Sequence, residues 1–252
     1  MESSFIRAVV TGGASGLGRA TCEEIIKRNG QVVIFDSNIE LGKKTCSELG
    51  IKSHFVQVDV TSESDVDQAI EQAVENLGSI NFLVNCAGIA PSQRLLGKNE
   101  LMTTAQFQQA ININLVGSFS VCRAAINHMQ HNKVDDQGQR AVIVNTASIA
   151  AQDGQVGQAA YAASKAGIVG MMLPLAREFS RIGVRVVTVA PGLFQTPLME
   201  KLPEKAITDL QSHIPFPKRL GRPDEFGRLV CHIYDNHMLN GELIRLDGAL
   251  RM

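Results

Sequence analysis

The sequence lacks the features that are typical of secreted and nucleic-acid-binding proteins. Its five cysteines are an odd number and include no Cys-x-x-Cys pair. This argues against a complete disulfide framework and favours reduced thiols in an intracellular compartment. The 24 Lys and Arg residues nearly balance 25 Asp and Glu residues, for a net charge of -1, and no long basic run is present. Charge therefore does not indicate a nucleic-acid partner.

Long apolar runs and a visible targeting segment are also lacking. The longest apolar stretches, such as residues 166–176, fall short of the roughly 20 residues that a bilayer span needs. Residues 1–7 lead directly into an apolar segment, without the basic region and apolar core of a secretory signal. We therefore expect a cytoplasmic protein with no membrane partner and no bound metal.

The sequence does contain a regular alternation of strand-like and helix-like segments. Its 252 residues are 44% hydrophobic, which is enough for a large core. Apolar, β-branched strands are predicted at residues 6–11, 31–35, 53–58, 80–84, 141–145, 184–189 and 243–246. Helices are predicted at residues 17–28, 39–49, 62–77, 104–129 and 224–234, with one more around Tyr161 and Lys165. Residues 131–140 are predicted as a surface loop and residues 194–218 as irregular.

This alternation predicts an α/β fold with a doubly wound, seven-stranded parallel sheet and helices on both faces, the single-domain Rossmann architecture. No internal repeat or linker is visible, so residues 1–252 are expected to form one domain. Ligands of such folds bind at the carboxyl ends of the strands. Candidate polar groups follow these ends throughout the chain, and they include Asp36, Asp59, Asn85, Ser148 and the Pro191-Gly192 turn.

A glycine-rich turn connects the first predicted strand to the first predicted helix. Gly12, Gly16 and Gly18 let the backbone approach a pyrophosphate, which the helix N-terminus attracts. Asp36 follows about 20 residues later and can accept hydrogen bonds from ribose hydroxyls. Its charge would repel a 2′-phosphate, and neither Ser15 nor Ser37 compensates for it. The pattern favours NAD over NADP, although the turn could be merely flexible and Asp36 merely a helix cap.

Tyr161 and Lys165 are four residues apart on a predicted helix, which places both side chains on one face. A neighbouring ammonium favours the phenolate, so we expect Lys165 to lower the pKa of Tyr161 towards the range of a general acid and base. By itself, such a pair is also compatible with an ordinary surface contact.

Together these motifs resemble the short-chain dehydrogenase/reductase family in order and spacing over essentially the whole chain. The glycine spacing of Gly12, Gly16 and Gly18 is the form that this family uses. The resemblance is carried by Thr11-Gly-x-x-x-Gly-x-Gly18, Asn85-x-Ala-Gly88, Ser148, Tyr161-x-x-x-Lys165 and Pro191-Gly192.

Further segments are similar to the branch of this family known as 3-hydroxyacyl-CoA dehydrogenase type II. They are Asp136-Gln-Gly-Gln-Arg140, residues 154–161, residues 190–194, residues 202–205, Pro215-Phe-Pro217 and residues 240–248. The resemblance implies reversible, NAD-dependent oxidation of a 3-hydroxyacyl-CoA to a 3-oxoacyl-CoA. The alternatives are a related enzyme for a steroid, a small alcohol or a 3-oxoacyl carrier protein, or a non-catalytic scaffold on the same fold.

The resemblance also implies roles for single residues. Tyr161 would exchange a proton with the substrate, Ser148 would hold the substrate oxygen, Lys165 would also bind the nicotinamide ribose, and Asn114 would hold a relay water. The expected cofactor-binding residues are Gly12, Ser15, Gly16, Leu17, Gly18, Asp36, Asp59, Val60, Asn85, Ala87, Gly88, Tyr161, Lys165, Pro191, Gly192, Leu193 and Thr196.

On the substrate side, Gln155, Gln158 and Phe194 are expected to contact the substrate together with Ser148 and Tyr161. The apolar segment of residues 194–216 is expected to form a lid, unless it only packs on the domain. Arg94 and Lys98 could meet the phosphates of CoA, although a solvated surface is the simpler interpretation. The family resemblance implies a homotetramer.

Overall fold

The computed structural model describes residues 5–98, 100–197, 199 and 204–251. Seven parallel strands form one sheet in the order β3-β2-β1-β4-β5-β6-β7. The strands are β1 Arg7–Thr11, β2 Gln31–Asp36, β3 Ser53–Gln57, β4 Phe82–Asn85, β5 Ala141–Thr146, β6 Val184–Pro191 and β7 Leu243–Leu246. The predicted doubly wound sheet is confirmed.

Helices cover both faces of this sheet. They are α1 Gly16–Lys27, α2 Ile39–Leu49, α3 Glu63–Leu77, α4 Thr104–Ile111, α5 Gly117–Met129, α6 Ala150–Asp153, α7 Ala159–Ser180, α8 Glu204–Ser212 and α9 Pro223–Asp235. The central strands are apolar at consecutive positions because each face is buried. Val9 of β1 belongs to the core under α3, α5 and α7, whereas its neighbour Val10 belongs to the core under α1 and α9.

The order of the strands reverses at β1, which pairs with β2 on one side and with β4 on the other. The crossovers from β1 and β4 therefore run in opposite directions, and a crevice opens at the carboxyl ends of these two strands. Thr11 and Asn85, the last residues of β1 and β4, are register partners at this crevice. The fold thus brings the glycine turn and the segment after Asn85 together.

Two predicted segments differ from the structure. The helix predicted over residues 104–129 is interrupted by a π-helical turn, Asn112–Val116, between α4 and α5. The segment predicted as irregular, 194–218, contains α8, Glu204–Ser212. Helix α8 is short and polar, and its partly buried Ile207 packs on a small cluster formed by distant residues. A local sequence pattern does not reveal contacts of this kind, because the contacting residues are far apart in the chain.

Helix α7 is long and apolar enough to cross a membrane by length and composition alone. The expectation of no membrane span was based on the short apolar run of residues 166–176, and the 22 residues of α7 exceed this run. Core helices of proteins without membrane spans pass the same test, so one such helix is weak evidence for a membrane span. In this fold α7 packs against β6 and buries Lys165, Ile168 and Met172.

Candidate active site

The glycine turn is held in place by close packing. Gly12 has a φ of +63°, and a Cβ at this position would lie 2.9 Å from the backbone nitrogen of Ala87. A Cβ on Gly18 would lie 2.2 Å from the carbonyl oxygen of Gly12. The hydroxyl oxygen of Thr11 accepts hydrogen bonds from the amides of Cys86 and Ala87, at 3.1 and 3.0 Å. These contacts fix the turn against the segment that follows β4.

The N-terminus of α1 is open at this turn. Ser15 precedes the helix in an extended conformation, its side chain makes no capping hydrogen bond, and the first turn contains no acidic residue. Gly16 has a φ of +53°, and a Cβ there would meet only Thr196 and Pro197, at 3.5 Å or more. Ser15 and Leu17 are half-buried. Free amides at a positive dipole end suit a phosphate group, so the turn fits the pyrophosphate of a dinucleotide.

Asp36 lies directly beside this turn at the end of β2. One carboxylate oxygen accepts the amide of Ala14 at 3.2 Å, and the other accepts the amide of Asn38 at 3.0 Å. The carboxylate is half-buried, and each of its oxygens can accept a further hydrogen bond. The geometry therefore suits a ribose with two free hydroxyls beside the glycine turn.

Asp59 and Val60 follow β3 at the same edge of the sheet. Asp59 is exposed, and one of its carboxylate oxygens accepts the amide and the hydroxyl of Thr61 at 2.9 and 2.7 Å. Val60 packs against Gly117, where a Cβ would lie 2.7 Å from a methyl of Val60. The contact with adenine expected for Asp59 and Val60 stays a prediction.

The side chain of Asn85 is directed into the protein interior. Its amide nitrogen donates to the side-chain oxygen of Asn145 at 2.9 Å and lies 3.3 Å from the sulfur of Cys122. Thr11, Asn85, Asn145 and Thr188 occupy one register row across β1, β4, β5 and β6. The Asn85 side chain therefore joins strands, because the odd positions of β4 face α5, and the expectation that Asn85 lines the cofactor path stays a prediction.

Lys165 and Tyr161 lie on one face of α7, as the four-residue spacing predicts. The ammonium of Lys165 is 5.9 Å from the centre of the Tyr161 ring. It donates a hydrogen bond to the carbonyl oxygen of Thr146 at 2.8 Å, and only 5% of the residue is exposed. Burial lowers the pKa of Lys165 to about 8, and the nearby Cys86 opposes this shift. A carbonyl at the end of β5 thus fixes the position of the ammonium.

The pKa of Tyr161 differs from the sequence expectation. Burial raises this pKa above its ordinary value, and a hydrogen bond with the side chain of Ser148 lowers it in part. The expected net lowering of the Tyr161 pKa is therefore corrected, because burial is the largest effect on this side chain. In the protein alone, Ser148 favours the phenolate.

Ser148 lies two residues beyond β5 and is 8% exposed. Its hydroxyl oxygen accepts the amide of Ala150, the first residue of α6, at 3.1 Å. Helix α6 and the start of α7 thus bring Ser148 to the hydroxyl of Tyr161, 13 positions later in the chain. A substrate oxygen placed between these two hydroxyls would meet two hydrogen-bond donors.

Asn114 is fully buried in the π-helical turn. Its side-chain oxygen accepts the amide of Ile89 at 2.8 Å, and its nitrogen donates to the carbonyl of Ile89 and the hydroxyl of Ser164, both at 2.9 Å. A Cβ on Gly88 would lie 3.0 Å from the Asn114 oxygen and 3.5 Å from the Lys165 nitrogen. Asn114 therefore holds the segment after β4 next to Lys165, and a relay water there stays a prediction.

The segment after β6 borders the site from the other side. The amide of Gly192 donates to the carbonyl of Leu246 at 2.9 Å, and Leu193 is half-buried. Phe194 is only 6% exposed, belongs to the core under α1 and α9, and packs on Gly221. Its aromatic ring therefore packs at the base of the lid, and the expected substrate contact of Phe194 stays a prediction. Thr196 is half-buried beside Gly16, so the segment after β6 reaches the glycine turn.

The substrate side is formed by exposed loops. Gln155 is exposed, and its amide donates to the side-chain oxygen of Gln158 at 3.0 Å. Within the lid, Ile214 is buried with Ile149, whereas 81% of Phe216 is exposed. The lid thus packs on the domain in part and presents an aromatic ring to solvent in part. Leu198 and Leu202, which were also assigned to the lid, lie outside the described residues.

Sequence reasoning missed two positions. The carbonyl of Thr146 holds Lys165, and a backbone group leaves no signal in residue type. Arg245 of β7 binds Asp153 at the end of α6 at 2.7 Å, and nothing in the local sequence relates two residues so far apart. Within the described ranges, no group of three or more His, Cys, Asp or Glu residues could hold a metal ion.

A dinucleotide-type crevice that ends at a serine, a tyrosine and a lysine defines a class of oxidoreductase. The chain belongs to the short chain dehydrogenase family, whose family model matches residues 7–207.

Individual relatives extend the similarity to the full chain. The chain is 52% identical over 247 residues to 3-hydroxyacyl-CoA dehydrogenase type-2 of Drosophila melanogaster, covering 97% of each protein. It is 50% identical to the Homo sapiens protein of the same name, covering 97% of this chain and 95% of that protein. The crystal structure of 3-hydroxyacyl-CoA dehydrogenase type-2 from Mycobacterium avium superposes with a TM-score of 0.94 at 40% identity, covering 100% of this chain and 98% of that one.

Proposed function

We propose that this dehydrogenase oxidises a secondary alcohol to a ketone with NAD, reversibly, and that its substrate is a 3-hydroxyacyl-CoA. The observation that carries the reaction type is the cluster of Ser148, Tyr161 and Lys165 at the carboxyl edge of the sheet. Support for the substrate comes from two relatives named 3-hydroxyacyl-CoA dehydrogenase type-2, which share half of their residues with this chain.

In the oxidation, the Tyr161 phenolate accepts the proton of the substrate hydroxyl. Ser148 donates a hydrogen bond to the substrate oxygen and keeps it within reach of Tyr161. Bound NAD would supply the hydride acceptor for this oxidation. Lys165 contributes a positive charge at neutral pH, because its pKa of about 8 leaves it mostly protonated. In the reduction, Tyr161 returns the proton to the oxygen.

The preference for NAD over NADP follows from Asp36. Its carboxylate is fixed by two backbone amides beside the glycine turn, where a 2′-phosphate would meet a negative charge. We expect Asp36→Ser to raise the KM for NADH by about tenfold or more and to lower the KM for NADPH. Initial-rate measurements with both cofactors check this. A KM for NADH that does not change in the variant would contradict the assignment.

The proposed reaction is tested by NADH consumption with acetoacetyl-CoA, compared with steroid ketones and a 3-oxoacyl carrier protein. We expect acetoacetyl-CoA to be the preferred substrate. Tyr161→Phe is expected to lower kcat by at least about 10³-fold, because the proton donor is lost while the fold is kept. Comparable turnover by Tyr161→Phe would refute the mechanism. Failure with acetoacetyl-CoA alone would refute the substrate only.

Two basic residues support an acyl-CoA. Arg94 and Lys98 are exposed in the segment between β4 and α4, on the active-site edge of the sheet. We propose that they attract the phosphates of CoA. The double variant Arg94→Glu/Lys98→Glu is expected to raise the KM for acetoacetyl-CoA several-fold and to leave the KM for an uncharged ketone unchanged. Equal KM values for acetoacetyl-CoA in variant and parent would refute this contact.

We also propose a homotetramer. Four large apolar side chains are 36–48% exposed on the helices of one face: Phe107 on α4, Val116 on the π-helical turn, Phe119 on α5 and Leu173 on α7. Strand β7 is a sheet edge and is half-buried at all four positions. Apolar helix faces and a free edge are typical subunit contacts. Light scattering after size exclusion tests the proposal, and a monomer of 27.2 kDa would refute it.

We also propose a cytoplasmic location. All five cysteines are free thiols, which suits a reducing compartment.

A further inference from the structure

A second hollow lies at the amino edge of the sheet. It has a volume of about 560 Å³ and is bounded by the starts of β1, β4 and β5 and by the ends of α3 and α5. The active site lies at the opposite edge, separated by a full strand of five residues, or about 17 Å. A ligand bound in this hollow would therefore not overlap the dinucleotide crevice.

The hollow is lined by three cations that lack an ion-pair partner among the described residues. Arg7 donates to the hydroxyl of Ser79 at 3.3 Å and lies 5.5 Å from the centre of the Phe5 ring. Arg140 donates to the backbone carbonyl of Asn132. Lys133 is exposed on the rim. Within the described residues, none of these three cations forms an ion pair with a carboxylate.

The carboxylate in the lining is already occupied. Asp135 accepts a hydrogen bond from the ring of His237 at 3.0 Å and from the amides of Gln137 and Gln139 at 3.0 and 2.8 Å. Burial opposes ionisation of Asp135, but the bonds from His237 and the two amides lower its pKa overall. Asp135 is therefore ionised and offsets one of the three positive charges of the lining, so Arg7, Lys133 and Arg140 together keep an excess of positive charge.

The helix ends at this edge offset only part of the positive charge. Helices α3, α5 and α9 end here, and each contributes a partial negative charge of about half a unit. At α9, the carbonyls of Ile233 and Tyr234 accept hydrogen bonds from the buried guanidinium of Arg185 at 2.8 and 2.9 Å. Arg185 thus adds a fourth positive charge behind the wall of the hollow, since it also donates to the lining residue Gln139. The net charge of the hollow is positive.

We propose that this hollow binds a phosphate ester of mononucleotide size. Its volume lies in the range of small-molecule sites, and Arg7, Lys133 and Arg140 supply the charge-assisted donors that a phosphate requires. The ring of Phe5, 39% exposed, provides a flat apolar surface for a base.

The test is calorimetric titration of the NADH-saturated enzyme with AMP, so that the dinucleotide crevice is already filled. AMP is expected to bind, adenosine at least tenfold more weakly, and Lys133→Glu to weaken AMP binding at least tenfold. Lys133→Arg is expected to retain binding. Lys43→Glu, an equal charge change on the exposed face of α2, is the control and is expected to change the affinity less than twofold.

Absence of AMP binding at 10 mM would overturn the proposal. Equal affinities for AMP and adenosine would also overturn it, because the phosphate would then contribute nothing. The same holds if Lys133→Glu and Lys43→Glu weaken binding equally, since only the net charge of the protein would then matter. Lys133 is exposed, so the folding of the variant is readily confirmed from its melting curve.

Discussion

Arg245 connects the last strand to the segment that carries Ser148. Its guanidinium donates to Asp247 and to Asp153 at 2.7 Å each, to Gln152 at 2.8 Å and to the carbonyl of Leu250 at 2.9 Å. The side chains of Arg245 and Asp153 are 16% exposed, and that of Asp247 is 7% exposed. One side chain thus holds β7, helix α6 and the C-terminal residues together.

Arg245→Met keeps most of the apolar volume and removes all four hydrogen bonds. It leaves the carboxylates of Asp153 and Asp247 close together with reduced compensation, although Asp247 retains Arg251 at 3.2 Å. Breaking a buried ion pair from one side costs about 3–5 kcal/mol. Because this network is slightly exposed, we expect the free energy of unfolding to fall by about 3 kcal/mol, which corresponds to about 6–12 °C in Tm for a chain of this size.

The same substitution is expected to affect turnover. Helix α6, which Arg245 holds through Asp153, begins two residues after Ser148 and supplies the amide that Ser148 accepts. A looser α6 misplaces the Ser148 hydroxyl relative to Tyr161. We expect kcat to fall about tenfold with little change in the KM for NADH, because the glycine turn is distant from α6. Arg245→Lys is expected to restore part of both losses.

Urea denaturation and initial rates measure the two effects. Arg228→Met is the matched control, since Arg228 pairs with Asp224 on the surface with side chains 53% and 43% exposed. This control is expected to cost less than about 1 kcal/mol and to leave kcat unchanged. If Arg245→Met is no more destabilising than Arg228→Met, the network around Arg245 does not stabilise the fold.

Two further predictions concern stability. The free energy of unfolding is expected to fall as the pH rises above 9, because burial raises the pKa of four thiols. These thiols stay protonated in the folded chain, whereas the same thiols ionise in the unfolded chain. Each thiol lowers the free energy of unfolding by up to about 1.4 kcal/mol per pH unit. These thiols are Cys22, Cys86, Cys122 and Cys231. Lys165 and Arg185, with their lowered pKa values, have the opposite effect, but they are two groups against four thiols. Denaturation between pH 8 and 10.5 checks this, and a rising stability above pH 9 would show that the thiols are not protected. Thr188→Val is expected to stabilise the protein by about 1 kcal/mol, because the buried hydroxyl of Thr188 has no partner among the described residues. A loss of stability in this variant would indicate that an internal water binds the hydroxyl.

Much of the fold could be predicted because its determinants are local. Buried parallel strands require consecutive apolar residues, and the helices between them require amphipathic patterns, so the order and type of the elements are visible in the chain. The glycine turn was equally visible, because its glycines follow a strand and open a helix within a few residues of each other. The π-helical turn and helix α8 were not predicted, because tertiary packing stabilises both.

The sequence by itself determined the candidate set: the motif that places Tyr161 and Lys165 one turn apart, the acidic Asp36 and the serine at the end of β5. Only the tertiary structure decided which side chains reach the crevice. It turned Asn85 and Phe194 into the core, because alternate positions of a strand face opposite sides and because Gly221 leaves room for the Phe194 ring. It directed the Lys165 ammonium to a backbone carbonyl and left Ser148 as the partner of Tyr161. Spacing along a chain specifies which residues share a face, but burial and hydrogen-bond partners come from other parts of the chain, and these set the pKa values.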